Sequence, residues 1–278
     1  MTLDAKSGHP LSRTVKYHYC KLVFRSILFL AALIQYLMYR LTDAYNTVFS
    51  SEKLPWILWV IWTIFVVEMI FRFFPSSIES TGCQKQFKKN FRPVSSCKET
   101  PKLQSKRSTL AVTAAWVGLN SIIGILYFTG MIDAGILFLI SLAYSVCDMI
   151  CILFFCPFQT WFMKNKCCTS CRIYNWDYAM MFTPLLFVWS FFTTTLVLIS
   201  VIILIKWEIL VHRHPERFLE SHNACLSCGN CKEKLCHHKK QLRGFLKKNR
   251  AILQLGGNVL FQGKNELKKI VSKAKKTK

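Results

Sequence analysis

The sequence predicts an all-α integral membrane protein, a polytopic helical bundle of four or five spans with a cytosolic, cysteine-rich basic tail. Three observations carry this. Apolar residues gather in blocks of about 20, the length a helix needs to cross a hydrocarbon core of about 30 Å. The composition is 52% hydrophobic and 14% aromatic with a positive mean hydropathy of +0.28, too apolar for an ordinary soluble domain. The formal charge of +23, from 37 Lys and Arg against 14 Asp and Glu, lies almost wholly between and after the apolar blocks.

Residues 1–22 form a basic N-terminal segment carrying Lys6, Arg13, Lys16 and Lys21, expected to face the cytosol. No small-residue cleavage site follows, so the next block reads as a retained helix. Residues 23–74 form the first helical hairpin. Its first span is about Val23 to Tyr39, with Arg25 expected to snorkel back to the headgroups. Its second, about Leu54 to Phe74, opens with Pro55 and carries Trp56, Trp59 and Trp62 as interfacial anchors. Glu68 and Arg72, one turn apart near its end, are expected to neutralise each other.

Residues 75–108 are a basic loop with Lys85, Lys88, Lys89, Arg92, Lys98, Lys102, Lys106 and Arg107, placed in the cytosol by its charge. Residues 109–205 hold a second hairpin, a cysteine-bearing loop and a fifth apolar stretch. The hairpin spans, about Leu110 to Phe128 and Ala134 to Phe155, are joined by the tight turn TGMIDAG. Lys164, Lys166 and Arg172 then bring the chain back to the cytosolic side.

The fifth stretch, about Ala179 to Ile205, sets the charge rule against the span count. Four spans return the chain to its starting side, and a fifth would export the basic tail at 206–278. Two arrangements answer this: an ordinary fifth span with an exported tail, or a re-entrant segment broken near Pro184 or at Thr193, Thr194 and Thr195.

The densest chemical signal is CLSCGNCKEKLCHH, which places Cys225, Cys228, Cys231 and Cys236 within a dozen residues beside His237 and His238. Thiolates at this density repel one another unless a cation holds them, so the tail is expected to bind metal. The C-x2-C-x2-C run resembles the cluster-binding loop of bacterial ferredoxins, and that resemblance implies an iron-sulfur cluster and electron transfer with a cytosolic redox partner. The fourth cysteine comes one residue later than in that loop and lacks the following proline. A second group, KCCTSCR, supplies Cys168 and Cys171, and the resulting CxxC...CxxC pattern would equally satisfy tetrahedral zinc in a transporter or scaffold without redox activity. That pairing requires both groups on one side of the membrane. Cys167 and Cys168 could instead be plain thiols, palmitoylated beside a helix end.

Asp148, in SVCDMIC, lies within the fourth span between Cys147 and Cys151, which share a helix face. An acid there is costly unless protonated or paired, so it marks a transport path or a packing contact, the latter expected with Asn120 or Ser121. All seven histidines, including His212, His214 and His222, fall outside the predicted spans, which argues against a haem held by two intramembrane histidines.

No P-loop, G-x-G-x-x-G, G-x-S-x-G or H-E-x-x-H occurs, which removes the common nucleotide-binding and hydrolase readings. The expected partners are the bilayer and its anionic headgroups, and no nucleic acid, since no recognition motif accompanies the charge. A plasma membrane with a cytosolic N-terminus fits the charge pattern and the lack of N-x-S/T sequons.

Overall fold

The computed structural model describes residues 13–41, 56–75, 81–94, 100, 106–163 and 171–227, with isolated positions 239 and 244. The chain divides into two units, Met1–Lys234 and Leu235–Lys278, and the helices described below belong to the first. The principal helices are α1 (Arg13–Leu41), α2 (Trp56–Phe71), α3 (Thr81–Gln86), α4 (Lys106–Phe128), α5 (Ala134–Leu153), α6 (Asp177–Phe182) and α7 (Phe191–Arg213). No strand occurs among the described residues, only an isolated bridge between Pro93 and Asn223.

Among the described residues, four helices are long and apolar enough to cross a bilayer: Thr14–Met38, Arg107–Phe128, Ala134–Leu153 and Phe191–Arg213. Leu58–Phe71 is a shorter apolar helix. This is compatible with an integral membrane protein. The side-chain distribution fits that solvent: on α1, Val23, Ile27, Ile34 and Met38 lie outward and exposed while His18 and Arg25 are buried. Such an inside-out face would be unstable in water, where exposed apolar area is disfavoured and buried charge doubly so.

Helix ends are set by local chemistry. α4 stops where Gly130 takes a positive φ of 75°, letting the Met131 N–H reach the Leu126 carbonyl at 3.0 Å and the Gly130 N–H reach that of Tyr127 at 3.0 Å. Three residues on, Asp133 caps α5 by accepting from the Ile136 N–H at 2.9 Å. The expected hairpin turn is therefore a glycine stop followed directly by an aspartate start. Asp133 also accepts from the Tyr36 hydroxyl at 2.9 Å, which fixes the far end of α1 against the start of α5.

The fifth apolar stretch is not one continuous helix. It breaks into a short arm and a full helix. The arm runs from Arg172 to Phe187 as a 3-10 turn (Arg172–Trp176), α6 and a second 3-10 turn (Thr183–Phe187). Val188 is extended, and Ser190 opens α7 with a reciprocal capping box to Thr193. The break thus falls between the positions suggested by Pro184 and by Thr193 to Thr195. At the other end of α7, Glu208 accepts from Arg172 and from the Trp176 indole, the latter at 2.7 Å, so the arm and α7 lie antiparallel. The arm also seats against α4: Trp116 donates to the Thr183 hydroxyl at 3.1 Å, and the Phe187 ring occupies the space a side chain at Gly124 would need.

The segment after α7 docks on the loop between α2 and α4. Val94 N–H donates to the His222 carbonyl at 3.1 Å and Ala224 N–H to that of Arg92 at 2.9 Å. Asn223, fully buried, donates to the Lys85 and Arg217 carbonyls at 3.0 Å each. From the same loop Gln86 accepts from the Asn175 amide at 2.8 Å. One end of the bundle therefore carries part of the basic loop, the start of the arm and the start of the tail.

Candidate functional site

Three of the basic residues of α1 do not reach for the headgroups. His18, Lys21 and Arg25 recur at helical spacing and face the bundle interior, where acids from two other helices, Glu68 of α2 and Asp148 of α5, meet Lys21 and Arg25. Arg25, 2% exposed, donates to Glu68 of α2 at 2.8 Å, to Asp148 of α5 at 3.3 Å and to the Ser145 carbonyl at 3.0 Å. Its guanidinium also sits 5.5 Å from the centroid of the Phe65 ring. One oxygen of Glu68 accepts from Arg25, from Lys21 at 2.9 Å and from the Tyr178 hydroxyl at 3.1 Å. Beside this cluster Arg72 pairs with Asp177 and lies 5.2 Å from the centroid of the Tyr178 ring.

Several expectations change here. Arg25 is buried and ion-paired and does not snorkel. Glu68 and Arg72, though one turn apart, neutralise partners on other helices and not each other. Asp148 does not bond Asn120, whose amide donates back to the Trp116 carbonyl at 3.0 Å. His18 lies within α1 and is buried, and His212 lies within α7, so the histidines are not all outside the apolar helices. Charges that repel lipid are stabilised by converging, and α1 is long enough to present His18, Lys21 and Arg25 inward.

Two cavities flank the cluster. The first, about 290 Å³, is lined by Tyr17, His18, Lys21, Glu68 and Tyr178 among others. The second, about 300 Å³, is lined by Cys147, Cys151, Cys156, Cys171, Met180 and Met181 among others. Asp148, Asp177 and Ile152 line both. The two carboxylates are thus the shared wall. Among the described residues, the buried Oδ1 of Asp177 has no hydrogen-bond partner.

Of the candidate metal residues, Cys171 is buried at the start of the arm, and Cys225 donates its thiol to the Asn90 carbonyl at 3.1 Å. Cys168, Cys228, Cys231 and Cys236 lie outside the described residues. Among the described residues no group of three or more His, Cys, Asp or Glu side chains is arranged to hold a metal ion. No protein family, curated protein or solved structure matches the chain.

Proposed function

We propose that the chain is a small multi-pass membrane transporter for a cation, with Asp148 and Asp177 in the path and the cysteine-rich tail as a metal-holding element on the cytosolic side. The observation that carries this is the pair of carboxylates forming the common wall of two cavities inside a lipid-facing bundle. Arg25 is held more closely by Glu68 than by Asp148, 2.8 against 3.3 Å, so the Asp148 carboxylate is the looser member of its pair. Asp177 has a buried oxygen still open to a ligand. Ionisable groups within spans that border cavities are suited to relaying cations, and both acids could exchange their arginine partner for a passing ion. The test is flux into proteoliposomes holding reporters for H⁺, Zn²⁺ and Cu⁺. Uptake of one of them above protein-free vesicles is expected, and none at all would overturn the reading.

The topology that goes with it has six crossings: α1, α2, α4, α5, the arm and α7. Ten 3-10 residues at about 2 Å each and six α residues at about 1.5 Å give the arm about 29 Å, close to the thickness of the hydrocarbon core. An even count returns the chain to its starting side, removing the conflict between the charge rule and five spans. The docking of residues 92–94 on 222–224 supports it, because it joins the basic loop and the tail at one end of the bundle. Green fluorescent protein fused to either terminus should fluoresce in a bacterial host, and alkaline phosphatase should be inactive at both. An active phosphatase at the tail would eliminate six crossings.

A second reading keeps the bundle and makes the tail an iron-sulfur electron carrier. The same docking favours it: the loop that bonds Cys225 through Asn90 also bonds Asn175, four residues beyond Cys171, so the two cysteine groups start from one end. Anaerobic purification followed by elemental analysis separates the readings. Iron with acid-labile sulfide is the result for electron transfer, whereas zinc alone leaves the tail structural.

A further inference from the structure

The second cavity contains a feature that the carboxylates do not explain. Cys151, in the last turn of α5, and Cys156, just beyond it, are joined by a hydrogen bond between their side chains. Cys156 Sγ also accepts the backbone N–H of Gln159 at 3.4 Å. The two sulfurs therefore lie together at the cavity wall, with the Gln159 N–H directed at one of them. Met180 and Met181 add thioethers to the same lining.

We infer that Cys151 and Cys156 form a two-sulfur site for a soft monovalent d10 cation, the class of Cu⁺ and Ag⁺, at the wall of this cavity. A proton shared between two sulfurs occupies the position that such a cation takes when bound by two soft donors. Thiolate and thioether ligands select Cu⁺, whereas Zn²⁺ requires four ligands and Mg²⁺ or Ca²⁺ require oxygens. Among the described residues no third Cys, His, Asp or Glu completes a set that would suit those ions. Binding is a simple exchange without electron transfer: M⁺ replaces the two thiol protons, two S–M bonds form, and two H⁺ leave. The bound unit keeps one negative charge, with the Gln159 N–H directed at one of its sulfurs.

This inference deepens the transporter reading by naming its substrate class, but its test is binding and stands apart from transport. The tail thiols and the second cysteine group are first silenced in the full chain by Cys167→Ser, Cys168→Ser, Cys171→Ser, Cys225→Ser, Cys228→Ser, Cys231→Ser and Cys236→Ser. That protein, in detergent, is titrated with Cu⁺ against a chromophoric competitor. One tightly held equivalent is expected, with at least a hundredfold loss of affinity on adding Cys151→Ser and Cys156→Ser, and no change on adding Cys147→Ser, which lines the cavity without joining the pair. A measurement on the unaltered chain guards against misfolded variants: Ag⁺ should protect Cys151 and Cys156 from a membrane-permeant maleimide, read by peptide mass spectrometry. Unchanged affinity in the double variant, or modification of both cysteines in the presence of Ag⁺, would overturn the site. Binding without flux would instead overturn transport and leave the site standing.

Discussion

Arg25→Met is expected to destabilise the protein by about 3–5 kcal/mol, the range for removing one partner of a buried ion pair. The reason lies in what stays behind. Glu68 keeps Lys21 at 2.9 Å and the Tyr178 hydroxyl at 3.1 Å, but Asp148 loses the only ion-pair partner it has among the described residues. The damage should therefore be repaired at Asp148 and not at Glu68. In detergent unfolding, Arg25→Met with Asp148→Asn should recover most of the lost stability, while Arg25→Met with Glu68→Gln should recover little. Equal recovery by both would mean that Arg25 does not distinguish its two acids, and wild-type stability in the single variant would mean that it is not buried as described. This is a double-mutant cycle in which the interaction energy belongs to one named pair.

Asp148→Asn alone is expected to leave the fold nearly intact and to lower cation flux by tenfold or more. Removing the acid leaves Arg25 with Glu68 at 2.8 Å and the Ser145 carbonyl at 3.0 Å, so no charge is orphaned. The amide matches the carboxylate in shape but cannot bind a cation by charge or exchange a proton. Expression and melting temperature should stay close to wild type while uptake into proteoliposomes falls. Full uptake with Asn at this position would remove Asp148 from the path, and loss of both fold and flux would reassign it to packing.

Much of the architecture was legible from hydropathy, and the misreadings share one cause. A window that averages hydropathy excluded Lys16 and Lys21 from the first span, since it scores charge as a penalty regardless of direction. The structure starts α1 at Arg13, and Lys21 turns inward to Glu68 while Lys16 stays exposed. Their spacing of three and four residues, at His18, Lys21 and Arg25, was the available signal for a polar helix face. Similarly, Ser190 and Thr193 form a capping box that can be read directly from the sequence and would have started α7 at Phe191. The partners could not be read. Nothing local relates Arg72 to Asp177, 105 positions apart, or Asn223 to Lys85, 138 positions apart, because these contacts exist only once the helices have packed. Nor could the thiol pair in the second cavity: the sequence puts Cys147 and Cys151 on one face, whereas the chain's turn after α5 brings Cys156 to Cys151.

The separation of the Arg25 partners along the chain also orders events during synthesis. Glu68 follows Arg25 by 43 residues and Asp148 by 123. At about 5–20 residues per second, the first acid emerges roughly 2–9 s after the arginine and the second roughly 6–25 s after it. Over that interval the acid of α2 is the one of its two acidic partners that Arg25 can meet. The Arg25–Glu68 pair can therefore form before α5 emerges, and the set of partners is complete only once Asp148 follows.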